Sequence, residues 1–91
     1  MANEVSAAKE QKLELLRIEI DNLKKSIETN NRQHQEMIDQ ANEYYERAES
    51  ENRIDLTGLG NSMRKLAKEK AAKGKDLTEK LNEKQSALKA L

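Results

Sequence analysis

His34 is the residue best suited to acid–base or metal chemistry in this chain of 91 residues, and it is the only histidine. A protein metal site needs several His, Cys or carboxylate ligands at a fixed spacing. Around His34 stand the amides Asn30, Asn31 and Gln35, and the chain has no Cys. His34 therefore reads as a polar helix residue. The segment Gly58-Leu59-Gly60-Asn61-Ser62 has the glycine content of a phosphate loop, but neither G-x-G-x-x-G nor G-x-x-x-x-G-K-[ST] is present. Asp55, Thr57 and Asn61 match part of a calcium loop, but its other acidic positions and its closing Glu are missing. Carboxylates are plentiful, yet their pattern places them on solvated helix faces, where no apolar pocket lifts a pKa for acid–base work.

Two charge blocks carry the remaining chemistry. Residues 64–75 hold Arg64, Lys65, Lys68, Lys70, Lys73 and Lys75 against Glu69, a net of +5. Residues 36–55 hold seven acidic residues against Arg47 and Arg53, a net of −5. A basic block binds nucleic acid when it is left unneutralised, and single strands usually also need aromatic platforms. The two aromatics, Tyr44 and Tyr45, lie outside the basic block. They read first as packing residues and second as a partner hot spot. The blocks are expected to neutralise each other inside the molecule, with nucleic-acid binding by residues 64–75 as the alternative function.

These residues need an element to hold them, and the element is a coiled-coil helix. Leu13, Leu16, Ile20, Leu23, Ile27, Asn30, His34, Met37, Ala41, Tyr44 and Ala48 follow an unbroken 3-4 spacing. Sustained 3.5-residue periodicity with charge elsewhere is the signature of such a helix, and polar Asn30 and His34 in the seam fix its register. A second seam runs Met63, Ala67, Lys70, Gly74, Leu77, Leu81, Lys84, Leu88 and Leu91. Between them Gly58 and Gly60 offer a helix stop, and Asn61 or Ser62 an N-cap. The chain thus reads as one all-α domain, an antiparallel two-helix coiled-coil hairpin. The first helix covers about 5–55, the turn 56–61 and the second helix about 62–91. Upstream, Asn3 or Ser6 is the candidate cap of the first helix.

Composition agrees. Phe, Trp and Pro are absent, charged residues make up 37% of the chain, and seventeen basic residues balance seventeen acidic ones. Strong helix formers dominate, so helical extension is expected rather than disorder. Zero net charge gives no bulk attraction to nucleic acid or anionic membrane. The apolar residues of the first thirty are interleaved with charges, unlike a signal peptide, and no apolar run is long enough to cross a bilayer. A soluble cytoplasmic chain is the expectation.

A glycine turn near residue 58 sets residue i opposite about 117 − i. Gly74 then faces Tyr44, Leu77 faces Ala41, Leu81 faces Met37, and Lys84 joins the polar layer of Asn30 and His34. The second helix would run out near Ile27, leaving residues 5–26 without a partner in the chain. That segment is the richest in apolar residues. Leu15 and Ile18 sit at positions c and f, away from the seam, and Val5 and Ala8 extend their side. An apolar surface of that kind calls for another helix. The functional expectation is a non-enzymatic interaction protein, needing no cofactor, metal or small-molecule substrate. It would act as scaffold, assembly chaperone or inhibitor through Leu13, Leu15, Leu16, Ile18, Ile20, Leu23 and Ile27. Its partners would be a second copy, in a homodimer or higher oligomer, or a helical protein.

Overall fold

The structure, a computed structural model, describes residues 2–91, with side chains from Ser6 onward. Two helices account for nearly all of it: α1, Ala2–Ser50, and α2, Ile54–Ala90. They pack along each other as an antiparallel hairpin measuring 76 × 14 × 14 Å. The cap expected at Asn3 and the apolar contribution of Val5 lie outside the described side chains. Ser6 lies within α1.

The turn is earlier and tighter than the glycines imply. Asn52 takes a left-handed φ of 52°. Its N–H donates to the Glu49 carbonyl at 3.4 Å, and the Arg53 N–H donates to the Ala48 carbonyl at 2.9 Å. Those two bonds around a left-handed residue form a Schellman C-cap, a position where Asn is the usual substitute for Gly. Arg53 is extended, at φ −118° and ψ 102°, and α2 begins at the next residue. Its guanidinium grips Asp55 through Nε at 3.3 Å and Nη2 at 2.6 Å. Asp55 also complements the positive end of the α2 dipole. Gly58 and Gly60 are helical instead, with no positive-φ glycine among the described residues. The turn expected at 56–61 is therefore corrected to residues 51–53.

Moving the turn moves the register. Asn30 lies against Gly74 and Tyr45 against Gly60. Gln33 meets Lys70, and Glu19 meets Lys84. The numbers in each pair add to between 103 and 105, so residue i of α1 sits level with 104 − i, twice the number of the turn residue Asn52. Leu77 is thus level with Ile27, not Ala41, and Leu81 with Leu23, not Met37. Gly74 faces Asn30 rather than Tyr44, and Lys84 leaves the polar layer for Glu19.

Both seams survive this shift intact. Each α1 position from Leu13 to Ala48 is buried or half-buried. So is each α2 position from Met63 to Leu88, and the same 4-3 spacing runs back through Gly60 to Leu56. Because α2 starts earlier, it reaches the level of Leu13 rather than ending at Ile27. The segment expected to lack a partner, residues 5–26, is covered along its seam from Leu13 onward.

The core is thin. Among the described residues, Ile20, Ala41, Leu56, Ala67 and Asn30 are its buried side chains. The chain exposes 7061 Å², against roughly 5,400 Å² for a compact monomer of 10.4 kDa. A two-layer rod has little interior, so its outer faces carry most of the chemistry.

Candidate interaction surfaces

The hairpin divides at a polar zone in mid-length. Asn30 is 4% exposed, and its Nδ2 donates to the Lys70 carbonyl at 2.8 Å. Its Oδ1 is buried without a hydrogen-bond partner. Gly74 makes room for it: a Cβ at residue 74 would stand 3.0 Å from Asn30 Nδ2. One layer on, Lys70 turns its ammonium aside to donate to Gln33 Oε1 at 2.8 Å, and half-buried His34 sits at its level. Among the described residues no group of three or more His, Cys, Asp or Glu is placed to hold a metal ion.

Between this zone and the turn, small residues allow close packing. A Cβ at residue 60 would lie 2.7 Å from the Tyr45 ring, so that ring rests on bare Gly60 backbone. Tyr45 also donates its hydroxyl to Asn61 Oδ1 at 2.6 Å. The Arg64 guanidinium stands 5.5 Å from the ring centroid, a cation–π distance. Ala41, Leu56 and Ala67 close the seam.

On the other side of the polar zone lies the open end, where the chain termini sit. Leu13, Leu16, Leu23 and Ile27 are half-buried there and Ile20 is buried, all against α2. Five of the seven expected partner-binding residues are thus occupied within the chain. The other two, Leu15 and Ile18, are 57% and 52% exposed, as their c and f positions require. Ile18 and the edge of Leu13 line a shallow groove with Glu10, Glu14, Arg17 and Asp21. Three acids against one arginine give that groove a negative rim.

The charge blocks do not meet in the way their order in the chain implies. Five ion pairs occur among the described residues, and only Glu19–Lys84, at 2.8 Å, crosses between the helices. The register sets 64–75 level with 29–40, so the blocks overlap only at 36–40 and 64–68. Even there the side chains point apart. Glu36, Asp39, Glu43 and Glu46 follow the outer c and f positions of α1, while Lys65 and Lys68 take outer positions of α2, all exposed. The mutual neutralisation expected from the sequence is absent among the described residues. Apart from the seam, sequence reasoning also missed the Tyr45–Asn61 bond, because the wrong register kept those residues apart.

The Arg53 hydrogen bond, and then the charge of Arg53, hold the Asp55 carboxyl below its usual range, against the opposing effect of desolvation. No helix among the described residues is long and apolar enough to cross a membrane. No family model, curated protein or solved structure matches the chain.

Proposed function

We propose that the chain is a non-enzymatic helical interaction protein, a scaffold, assembly chaperone or inhibitor that captures a helix of a protein partner at its open end. The observation carrying this reading is the exposure of Leu15 and Ile18 on the face of α1 turned away from α2. Aliphatic side chains in water favour a covering helix, at about 1.5–3 kcal/mol for each one fully buried. The acidic rim from Glu10, Glu14 and Asp21 favours a partner with Lys or Arg flanking its apolar stripe. Leu13, Leu16, Ile20, Leu23 and Ile27 support the site from beneath by fixing α1 on α2.

The test uses a synthetic amphipathic helix with Leu at 3-4 spacing and basic flanks, followed by fluorescence anisotropy. Leu15→Asp with Ile18→Asp should weaken binding by at least about tenfold, since truncating central apolar anchors typically costs more than 1 kcal/mol. Circular dichroism should not change, because both side chains are already in water. Leu16→Asp with Ile20→Asp should instead unfold the open end. Equal binding by wild type and the Leu15/Ile18 variant would overturn the reading. Proteins recovered from the native host by wild type, and lost with that variant, would identify the partner.

A second reading is a nucleic-acid accessory role for residues 64–75. It gains from the absence of ion pairs on that block among the described residues. The acidic stripe on the same half of the rod opposes it.

A further inference from the structure

A second groove runs along the rod on the side where the e positions of the two helices meet. Between the polar zone and the turn, Ile38 and Ala67 form its floor, with Arg64, Lys65 and Lys68 beside them. It continues past His34 and Ala71, which line both stretches, to Ile27, Gly74, Lys75 and Thr78. Arg64 and Thr78 are fourteen residues apart, a length of about 21 Å at ~1.5 Å for each.

The charge of this groove is one-sided. Arg64, Lys65, Lys68 and Lys75 all come from α2, and none forms an ion pair among the described residues. From α1 the lining is apolar or amide, apart from His34. The acidic Glu36, Asp39, Glu43 and Glu46 follow the outer c and f positions and do not line it. Glu79, at the limit toward the open end, is the one acid on the lining.

We propose that this groove receives a helix of a protein partner whose apolar stripe is edged by Asp or Glu, completing a three-helix bundle. The floor points to a helix. Ala67, Ala71 and Gly74 keep it low, so a third axis can approach to the usual packing distance of about 8–10 Å. Ile38 and Ile27 offer apolar contact at its two ends, and the length suits about four turns. Arg64, Lys68 and Lys75 follow one another at four and seven residues, which aligns them along one edge. Acids at matching spacing on the partner would meet them. Apolar contact holds the helix, and charge selects which helix and which way it lies.

A polyanion fits less well. A phosphate backbone gains nothing from an apolar floor, and the Tyr45 ring is already covered by Gly60 and Arg64 rather than free to stack on a base. Seventeen basic and seventeen acidic residues leave no long-range attraction for it. A second copy fits no better. A symmetric contact would set one basic groove against the other, and a head-to-tail contact would not close.

Fluorescence anisotropy on the full chain tests this with two synthetic helices, both edged with Glu. One carries Leu at 3-4 spacing, and the other carries Ser in its place. Wild type should bind the Leu helix at least about tenfold more tightly than the Ser helix. Lys68→Glu with Lys75→Glu should weaken binding of the Leu helix at least about tenfold, because like charges then face each other. Ala71→Gln raises the floor without changing charge and should weaken it at least about fivefold. Lys68, Lys75 and Ala71 are exposed, so circular dichroism should not change. Leu15→Asp with Ile18→Asp should leave this binding intact, which separates it from helix capture at the open end. No binding of the Leu helix, equal binding of the Ser helix, or indifference to the changes at Lys68, Lys75 or Ala71 would overturn the proposal. Loss of binding in the Leu15/Ile18 variant would do the same. So would DNA bound more tightly than the Leu helix through Lys68 and Lys75, or wild-type self-association in sedimentation that the Lys68/Lys75 changes abolish.

Discussion

The two ends of this hairpin use the same heptad pattern to different effect. Between the polar zone and the turn, the seam is built from small residues against larger ones: Ala41, Ala67 and Gly60 beside Met37, Leu56 and the tyrosines. At the open end it is built mostly from Leu, with Ile20 and Ile27 on α1, yet among the described residues Ile20 is its only buried side chain, and every α2 residue beyond Lys70 is half-buried or exposed. The more hydrophobic end is the less tightly closed one. Burial depends on how nearly two backbones approach, and alanine or glycine at alternate seam positions shortens that distance more than added leucine does. The looser end therefore leaves more apolar surface exposed, while the tighter end fixes the register.

Equal truncations at the two ends should break this symmetry most visibly. Leu56 is 4% exposed, so Leu56→Ala should cost about 2–4 kcal/mol of unfolding free energy. Leu88, half-buried near the chain end, should cost about 1 kcal/mol when changed the same way, since less area leaves water. Urea melts followed at 222 nm would measure both. Similar losses would mean that the two ends are equally well packed.

The two glycines near the turn sharpen the comparison, because the same substitution should have opposite signs. At Gly60 a methyl group collides with the Tyr45 ring, and Gly60→Ala should destabilise by about 1–2 kcal/mol despite better helix propensity. At Gly58 nothing stands within 4 Å, and Gly58→Ala should stabilise by roughly 0.8–1 kcal/mol. Thermal melts of the pair would decide, and stabilisation by both would place the ring elsewhere.

The smallest effect concerns the divide itself. Asn30→Leu removes the unpartnered Oδ1 and fills the space beside Gly74, so stability should rise by about 0.5–1 kcal/mol. A polar seam residue fixes register at a cost in stability. Hydrogen exchange should accordingly show the open end opening together with the rest of the rod rather than before it. A loss of stability would show that the Asn30–Lys70 bond outweighs the orphaned oxygen.

Much of this was legible in the chain. The α1 seam, the α2 seam from Met63 and the outward placement of Leu15 and Ile18 all follow from heptad spacing, which needs no knowledge of the partner helix. The position of the turn was not, because two signals competed. Gly58 and Gly60 are the residues most often found past a helix end, whereas a lone Asn52 is a weaker sign of a left-handed residue. The deciding cue was present in Leu56, Gly60 and Met63, which continue the α2 spacing through the supposed turn. Once the turn was misplaced, every cross-helix pairing shifted by about four turns of helix, and with it the reach of α2. The charge blocks gave false support, since opposite charge constrains only approximate position and exposed pairs contribute about 0.2–1 kcal/mol each.

The three-residue turn also bears on how copies of the chain can grow into larger particles. Ala48 and Gly60 hold equivalent seam positions twelve residues apart, where an unbroken heptad pattern would place them fourteen apart. If the helix ran straight through, its two adhesive stripes would point roughly 150° from each other at 3.5 residues per turn. Such a rod would present glue on opposite sides at opposite ends, and each copy would recruit another without ever closing. That is the geometry of a fibre. By reversing the chain at Asn52, the molecule turns both stripes toward each other and is left with a finite shape.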